Sequence, residues 1–368
     1  MTALCREFGI SRKTGHKLFA RYKAHGLEAL ADRPRRPGRV ANRLPVPIEA
    51  TIVALRREHP NWGARKLREL VSRRLGPEVP VPARSTIHAV LDRHGLVEHA
   101  RARRPRAAGT PLCEPAAPNE LWCCDFKGEF RLGNARLCYP LTVTDQASRY
   151  LLMVEALEST REAPVFTAFH RLFQERGLPL AIRSDNGVPF ASRSLYGLSR
   201  LSVWWLRLGI GIERITPGKP QQNGRHERMH LTLKQETTRP AAANSLAQQA
   251  RFDAFVEEFN AERPHEALAM RTPSELYTAS LRSFAGLPEL AYPFHDREIV
   301  ASQSGAIALH GRAVFISSVF GGQRLGLREV DTDVWLVSFM HYDLGYIDLE
   351  ACTLQTIDTP FGSRVSPM

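Results

Sequence analysis

Two segments rich in proline and arginine divide the chain and limit which parts of it can fold together. Residues 31–47, ADRPRRPGRVANRLPVP, contain five arginines and four prolines, and residues 99–118, HARARRPRAAGTPLCEPAAP, have the same character. Proline removes a backbone donor and clashes with the preceding helical turn, so neither segment can continue a helix. We therefore interpret both segments as basic linkers between separately folded parts.

Positive charge is concentrated in the amino-terminal third of the chain. The formal net charge of all 368 residues is +12, but residues 1–110 hold 24 Lys and Arg against 9 Asp and Glu, a net of +15, and the remainder has a net of −3. A basic part joined to a nearly neutral part is typical of an arm that is attracted to polyphosphate. The distribution favours nucleic-acid binding by the first third over the alternative of an ordinary solvated basic face.

The cysteines and the apolar residues exclude several classes of protein. None of the six cysteines forms a C-x-x-C pair, so neither a zinc site nor a disulfide framework is predicted. No apolar run approaches the roughly eighteen residues of a membrane span, and the first residues do not form a signal peptide. We therefore predict a cytosolic protein that makes no contact with a membrane.

Residues 1–30 have the pattern of a helix-turn-helix DNA-binding domain. A short helix, a turn at Gly9 and Ile10, and a second helix capped by Ser11 and ending near His25 are predicted. We expect Ala3, Leu4 and Phe8 to pack against Ile10, Leu18 and Phe19. The side chains expected to contact DNA from the second helix are Arg12, Lys13, His16 and Lys17. A three-helix domain would need a further helix before residue 1, so the chain is expected to begin inside this domain.

A second helical domain is predicted for residues 48–98. Helices are expected over 48–58, 64–74 and 85–94, which is the layout of another helix-turn-helix or a winged helix. Trp62 is predicted to fill the core of this domain. The candidate phosphate contacts are Arg65, Lys66, Arg68 and Arg84.

At Glu120 the helical pattern gives way to short β-rich runs. Three strands, a helix from 160 to 177, a strand at 180–185, a helical segment at 193–208, a strand at 211–215 and a helix from Asn223 give the order βββαβαβα. This order predicts a mixed five-stranded sheet with helices on its faces, over residues 119–280. Residues 297–356 contain short alternating apolar runs separated by glycines, and we predict a small β-barrel there.

Three acidic residues stand where this sheet would bring them together. Asp125 lies within the first strand, Asp185 ends the fourth immediately before the turn pair Asn186 and Gly187, and Glu227 lies early in the following helix. On that helix Glu227, His230, Leu231 and Lys234 are predicted to share one stripe. Carboxylates are the ligands that Mg²⁺ prefers, and two such ions about 3.5–4 Å apart would serve phosphoryl transfer.

Three motifs resemble those of DDE transposases of bacterial insertion sequences, which are relatives of the retroviral integrases. They are W-x-x-D-F-K-G at 122–128, S-D-N-G at 184–187 and P-x-x-N-G-x-x-E-R at 220–228. NAERPHEAL at 260–268 is also similar to a segment of that family. The resemblance implies an RNase H-like catalytic core at 119–280, preceded by two helix-turn-helix units.

The resemblance also implies roles for individual residues. Asp125, Asp185 and Glu227 would be the catalytic, metal-binding triad, holding two Mg²⁺ or Mn²⁺ ions, and Arg225, Arg228 and Lys234 would contact DNA. Asp185 and Glu227 are separated by 41 residues, which is more than the family's usual interval. We expect the additional residues to lie in 192–210, as an elongated helical segment on the surface of the sheet.

The function predicted from the sequence is that of a transposase. It would bind the terminal inverted repeats of its element and the target DNA as a homo-oligomer, cleave DNA with a divalent metal and transfer the strand. A catalytically inactive or truncated DNA-binding relative that regulates transposition is the alternative. A simple RNase H-type nuclease would explain the core but not the two DNA-binding units.

Overall fold

A computed structural model describes residues 1–31, 44–76, 78–97, 114–216 and 219–358. Most of each predicted basic linker, residues 32–43 and 99–113, lies outside the described residues. The chain divides into two compact units, one ending at Val53 and the other beginning at Ala54. No helix among the described residues is both long and apolar enough to cross a membrane.

The first unit begins with the two predicted helices, α1 (Thr2–Glu7) and α2 (Arg12–His25). The hydroxyl of Ser11 accepts a hydrogen bond from the backbone N–H of Thr14 at 3.1 Å, which confirms the predicted helix cap. The four predicted DNA contacts on α2 are exposed: Arg12, Lys13, His16 and Lys17.

The apolar packing predicted between these helices is wrong. Leu4, Phe8 and Phe19 are 53%, 69% and 47% exposed, and Ala3 and Ile10 are exposed as well. Cys5 is the buried side chain instead, and it packs on Gly15, where an added Cβ would lie 2.3 Å from the Cys5 sulfur. Glycine at this position lets the two short helices approach so closely that the larger side chains do not meet.

Three more helices follow: α3 (Val46–Glu58), α4 (Ala64–Leu75) and α5 (Arg84–Arg93). Helix α3 begins two residues earlier than predicted, because proline is tolerated in the first helical turn and Pro47 therefore does not delay it. Trp62 is 1% exposed, as predicted for a core residue. The Arg56 guanidinium donates to the carbonyls of Trp62 and Leu96, at 2.7 and 3.1 Å, and fixes the turn before α4.

A mixed sheet forms the centre of the second unit. Its strands are β1 (Leu121–Phe126), β2 (Phe130–Arg131), β3 (Leu137–Asp145), β4 (Leu151–Leu157), β5 (Ala181–Ser184) and β6 (Gly211–Arg214). Strand β3 is antiparallel to β1, β2 and β4, whereas β5 is parallel to β1 and β6. The five predicted strands are present, and β2 is an additional two-residue strand after the chain turns at Gly128.

Helices cover both faces of this sheet, because alternate residues of each strand point to opposite faces. They are α6 (Glu162–Arg176), α7 (Arg200–Arg207), α8 (Gly224–Thr237) and α9 (Ser245–Ala261). Helices α6 and α7 share an apolar cluster with Trp122 and Ile182 of one face. On the other side, α8 and α9 pack together against Leu151 and Val154 of β4.

Helix α7 is buried from two sides. Leu201 and Trp205 belong to the cluster of the central sheet, whereas Val203 and Leu206 belong to the cluster of the carboxy-terminal strands, together with Leu198 just before the helix. Helix α7 packs on the sheet, as predicted for the additional residues between Asp185 and Glu227, but at eight residues it is not elongated. It forms the connection between the core and the carboxy-terminal part.

The carboxy-terminal part is not a closed barrel, so that prediction is wrong. Its strands are β7 (Arg297–Val300), β8 (Ala306–Leu309), β9 (Arg312–Phe315), β10 (Arg324–Asp331), β11 (Val334–Phe339), β12 (Tyr342–Asp348) and β13 (Thr353–Thr356). Within the described residues, an open antiparallel sheet has the order β13-β12-β11-β10-β7, and β8 and β9 form a separate hairpin. The apolar face that closure would enclose is buried against the hairpin and α7 instead.

Candidate active site

Asp125 and Asp185 lie at the same end of two adjacent strands. Strands β1 and β5 are parallel, with Leu121 beside Ala181 and Cys123 beside Arg183. The same offset continued by two residues brings Asp125 beside Asp185, where neighbouring strands are about 4.8 Å apart. Both side chains point to the face of the sheet that α8 covers, since Cys123 and Arg183 point there as well.

Burial and like charge act on this pair. Burial, followed by the negative charge of Asp185 and then that of Glu227, raises the pKa of Asp125 to about 7. Burial also raises the pKa of Asp185, although its Oδ1 accepts a hydrogen bond from the backbone N–H of Gly187 at 3.1 Å. Two carboxylates that resist ionisation side by side form an environment that favours a cation.

Helix α8 carries Glu227 in its first turn. His226, Met229 and His230 are buried against the sheet, and Glu227, Leu231 and Lys234 are exposed. Of the four residues predicted to share one stripe of this helix, three are exposed. His230 is the exception, because its ring turns inward to a polar part of the sheet.

A hydrogen-bonded network ties α8 to β1 and β3. The Thr142 hydroxyl lies 2.7 Å from Nε2 of both His226 and His230 and 3.0 Å from the carbonyl oxygen of Asp125. Since that carbonyl can only accept, the hydroxyl donates to it and both imidazoles donate to the hydroxyl. Nδ1 of His226 accepts from the Thr144 hydroxyl at 2.8 Å. Burial lowers the pKa of His226 to about 3 and that of His230 to about 2, so both rings are neutral.

Two lysines lie near the acidic residues. Burial and the nearby charge of Lys234 lower the pKa of Lys127, and the charge of Asp125 opposes this shift. Lys127 follows β1, and Lys234 is exposed on α8 two turns after Glu227. A cation from the sheet and one from the helix therefore flank the approach to Asp125.

Family comparisons agree with this architecture. The chain matches the family described as Integrase core domain over residues 115–220 and again over 208–273. It also matches the family described as Homeodomain-like domain over residues 14–91, a span that runs from α2 to α5.

Relatives of known origin come from mobile elements. A 31.7 kDa protein of insertion element IS407 from Burkholderia multivorans is 30% identical over 244 residues, which are 66% of this chain and 84% of the relative. The chain belongs to the insertion-element transposase family with an integrase core. A second member, the 39.2 kDa protein of insertion element IS476 from Xanthomonas euvesicatoria, is 30% identical over 65% of this transposase and 68% of its own length.

Among solved structures, the catalytic core domain of HTLV-2 integrase in complex with magnesium is similar to part of this family member. The region of similarity covers 44% of this chain and 98% of the integrase domain, with 16% sequence identity and a TM-score of 0.35.

The residues of the acidic site fit a divalent cation in their chemistry. Hard cations take oxygen ligands, and Mg²⁺ is commonly held by one or two carboxylates together with substrate phosphates. The adjacent Asp125 and Asp185 supply such a pair. Burial raises the pKa of both carboxyl groups, and the charge of Asp185 raises that of Asp125 further. Among the described residues, no group of three or more His, Cys, Asp or Glu side chains is placed to hold a metal ion.

The predicted DNA contacts of this transposase fall into separate places. Lys66, Arg225 and Arg228 line one cavity of about 770 Å³ beside α8. Arg65, Arg68 and Arg84 line a smaller one of about 590 Å³, where Arg65 forms an ion pair with Glu266 and Arg68 donates to the carbonyl of Pro82. Arg65 and Arg68 therefore also stabilise the fold around this cavity.

Several residues of the site were not identified from the sequence. They are Lys127, Thr142, His226, His230, Arg149 and Arg263. Lys127 stood within the W-x-x-D-F-K-G motif, and the spacing of His226 and His230 by one helical turn was a usable signal. Thr142, Arg149 and Arg263 carried no such signal, because only the tertiary fold brings them to α8.

Proposed function

We propose that this family member is the transposase of its element, which cleaves DNA at the element's ends and joins the freed 3′ hydroxyl to target DNA. The observation that carries the proposal is the placement of Asp125 beside Asp185 on parallel strands of an integrase core. The negative charge of Glu227 also raises the pKa of the Asp125 carboxyl group. Two neighbouring carboxylates are suited to bind the divalent cations on which many phosphodiester cleavage and transfer reactions depend.

Each residue of the site has a distinct role in this proposal. Asp125 and Asp185 would hold two Mg²⁺ or Mn²⁺ ions, with Glu227 of α8 as a further ligand. Ions held there would supply activation of the attacking oxygen and stabilisation of the leaving oxygen. Lys127 and Lys234 hold the phosphates of the DNA strand near the acids by charge.

DNA recognition is assigned to the cations of the helical regions and of α8. In this proposal α2 reads the terminal inverted repeats with Arg12, Lys13, His16 and Lys17. Arg65, Lys66, Arg68, Arg84, Arg225 and Arg228 hold the backbone of the DNA. Since two ends must be joined to one target, the protein acts as a homo-oligomer on DNA, in the bacterial cytoplasm at the nucleoid.

The test is strand transfer by the full-length protein on labelled DNA that carries the element's own end. Reactions contain Mg²⁺ or Mn²⁺ and compare the wild type with Asp185→Asn and with the matched control Asp333→Asn. Asp333 is an exposed turn residue with φ of 58°, a conformation that asparagine also accepts. We expect joined product from the wild type and the control, and at least a hundredfold less from Asp185→Asn, with end binding unchanged in all three.

The same experiment separates this proposal from its rival. If the wild type binds the ends but neither nicks nor joins DNA with either metal, the catalytic assignment is wrong. The inactive regulator then becomes the better description. If Asp185→Asn retains full activity, another set of residues performs the chemistry.

A further inference from the structure

A cavity of about 770 Å³ lies on the α8 side of the central sheet, beside the acidic pair but separate from it. Its walls come from the start of α8, the turn between β3 and β4, the segment after α9, and α4. Neither Asp125 nor Asp185 lines it. His226 forms part of its wall and contacts Thr142, which in turn bonds to Asp125, so one imidazole separates the cavity from the acids.

The cavity is lined by an excess of cations. Six basic side chains line it: Lys66, Arg149, Arg183, Arg225, Arg228 and Arg263. Three of them are neutralised in ion pairs, Arg183 with Glu213, Arg225 with Glu114 and Arg263 with Glu236. Across the described part of the chain, the side chains of Lys66, Arg149 and Arg228 form no hydrogen bond or ion pair. Three cations without an ion pair therefore line one half-open cavity, and the Lys66 ammonium also lies 5.8 Å from the centre of the Trp62 ring.

Burial and neighbouring cations lower the pKa values of two of these groups. Burial, and then the charges of Arg263 and Arg228, lower the pKa of Lys66 to about 8, against the opposing effect of Glu236 and Glu266. Burial and the neighbouring Arg225 lower the pKa of Arg149 to about 10. An anion inside the cavity would relieve both effects.

Arg149 is also held in an unusual backbone conformation. Its φ is 66°, in the left-handed region that residues with a side chain seldom adopt, and its N–H donates to the carbonyl of Asp145 at 3.1 Å. Residues held in such a conformation cluster at ligand sites. The turn between β3 and β4 thus places the Arg149 side chain in the wall of the cavity.

The lining also holds three acidic residues, Glu114, Asp145 and Glu266, of which Glu114 pairs with Arg225 and Glu266 pairs with Arg65. The rest of the lining is neutral, polar and aromatic. Phe259 and His265 form an edge-to-face pair with ring centres 4.9 Å apart, and burial next to Lys66 and Arg263 lowers the pKa of His265 to about 3. Gln146 adds an amide. Cations for a backbone together with flat rings and amides for bases are the means by which proteins hold single-stranded nucleic acid.

We propose that this cavity binds an unpaired DNA strand whose phosphates contact Lys66, Arg149 and Arg228. A cavity of about 770 Å³ has the size of a small-ligand pocket, so it can take up part of one strand but not both strands of a duplex. Arg183 lies two residues before Asp185 on the same face of β5, so a strand leaving the cavity is already beside the acids. The inference extends the proposed function, since it supplies a place for a strand separated near the reacting end.

The experiment measures binding without catalysis. Fluorescence anisotropy in EDTA compares a labelled twelve-nucleotide oligo-dT with a labelled random-sequence duplex of equal length, for the full chain and for Arg149→Gln and Arg228→Gln. The matched control is Arg161→Gln, because Arg161 is exposed at the start of α6, which packs on the opposite face of the sheet. Thermal unfolding confirms that each variant is folded.

We expect both cavity variants to bind the single strand about tenfold more weakly. The duplex should bind less than twofold more weakly, because Arg65, Arg68 and Arg84 outside the cavity still hold its backbone, and the control should be unchanged. Each lost phosphate contact should also reduce the slope of log affinity against log salt by about 0.7. Lys66→Arg should retain single-strand binding, and Lys66→Gln should lose it. Unchanged single-strand affinity, or equal losses on both probes, would overturn the proposal.

Failure of the proposed function is distinguishable from failure of this inference. Asp185→Asn should bind the single strand as the wild type does in EDTA, because the cavity does not include the acidic pair. If no metal supports strand transfer but the cavity variants still lose single-strand binding selectively, only the catalytic proposal fails.

Discussion

Nδ1 of His230 lies 3.9 Å from Oδ2 of Asp125, although the first residue belongs to α8 and the second to β1. The other nitrogen of the same ring contacts Thr142 on β3 at 2.7 Å. One imidazole therefore sets the distance between the helix that carries Glu227 and the strand that carries Asp125. The relative position of two predicted metal ligands depends on a neutral, buried hydrogen-bond network.

Thr142→Val should weaken the fold at this junction. Valine keeps the shape of threonine but leaves the Nε2 groups of His226 and His230 without a buried acceptor. We expect the free energy of unfolding to fall by about 2 kcal/mol in urea titrations. Thr232→Val is the matched control, because its exposed hydroxyl bonds only within α8, and it should change stability by less than about 0.5 kcal/mol. Equal effects of the two substitutions would contradict the network's role.

Asp185→Asn should stabilise the protein in EDTA. The substitution keeps an oxygen for the N–H of Gly187 and removes a negative charge beside Asp125, which at an effective dielectric of about 20 is worth on the order of 2 kcal/mol. Saturating Mg²⁺ should raise the melting temperature of the wild type and have little effect on the variant, because a ligand that binds the folded state stabilises it. Differential scanning fluorimetry measures both effects. A wild type that is insensitive to Mg²⁺ and no less stable than the variant would count against a carboxylate pair that binds metal.

His265 should make the fold sensitive to acid. Its pKa in the folded protein is about 3, below the ordinary value of about 6.5, because of burial and the nearby Lys66, Arg263 and Arg149. The unfolded chain therefore takes up a proton first as the pH falls, and the stability present above pH 6.5 is lost progressively toward pH 3. His265→Gln should reduce the slope of unfolding free energy against pH by up to one proton in this window. Parallel curves for the two proteins between pH 4 and 6.5 would show that His265 does not titrate in this way.

Leu206→Ala should test the contact between α7 and the carboxy-terminal sheet. Leu206 is 4% exposed and belongs to the cluster of the carboxy-terminal strands, so its truncation should cost about 3 kcal/mol. We also expect faster release of the carboxy-terminal part in limited proteolysis. Leu231→Ala on α8, where the leucine is 57% exposed, should leave both measurements near those of the wild type.

The order of elements in the core was predictable because each element has a strong local pattern. The β-rich composition of LWCCDF and LCYPLTVTD predicted β1 and β3, and Ser11 predicted the start of α2. The two aspartates were singled out by their positions within the first strand and at the end of the fourth. The pairing of β1 with β5 depends on the tertiary fold. In a chain with this order of strands and helices, however, the rules of connection leave few possible strand arrangements.

The unpredicted features depend on contacts between distant segments. The side of α8 on which His230 lies was ambiguous, because a buried polar ring interrupts the apolar stripe that marks the inner face of a helix. The carboxy-terminal strands were recognised, but not that their sheet stays open, since the partner of their apolar face is α7, about one hundred residues earlier. The cavity lining combines side chains from four segments, and no local pattern links Arg149 to Lys66.

The double burial of α7 has a consequence for the decay of the element. A gene copy that acquires a stop codon before the carboxy-terminal strands would encode a core with Leu198, Val203 and Leu206 uncovered. Such an apolar patch promotes aggregation. Mutations near the 3′ end of the gene would therefore tend to remove the protein from solution, so damaged copies would not accumulate as dominant-negative competitors for the element's ends.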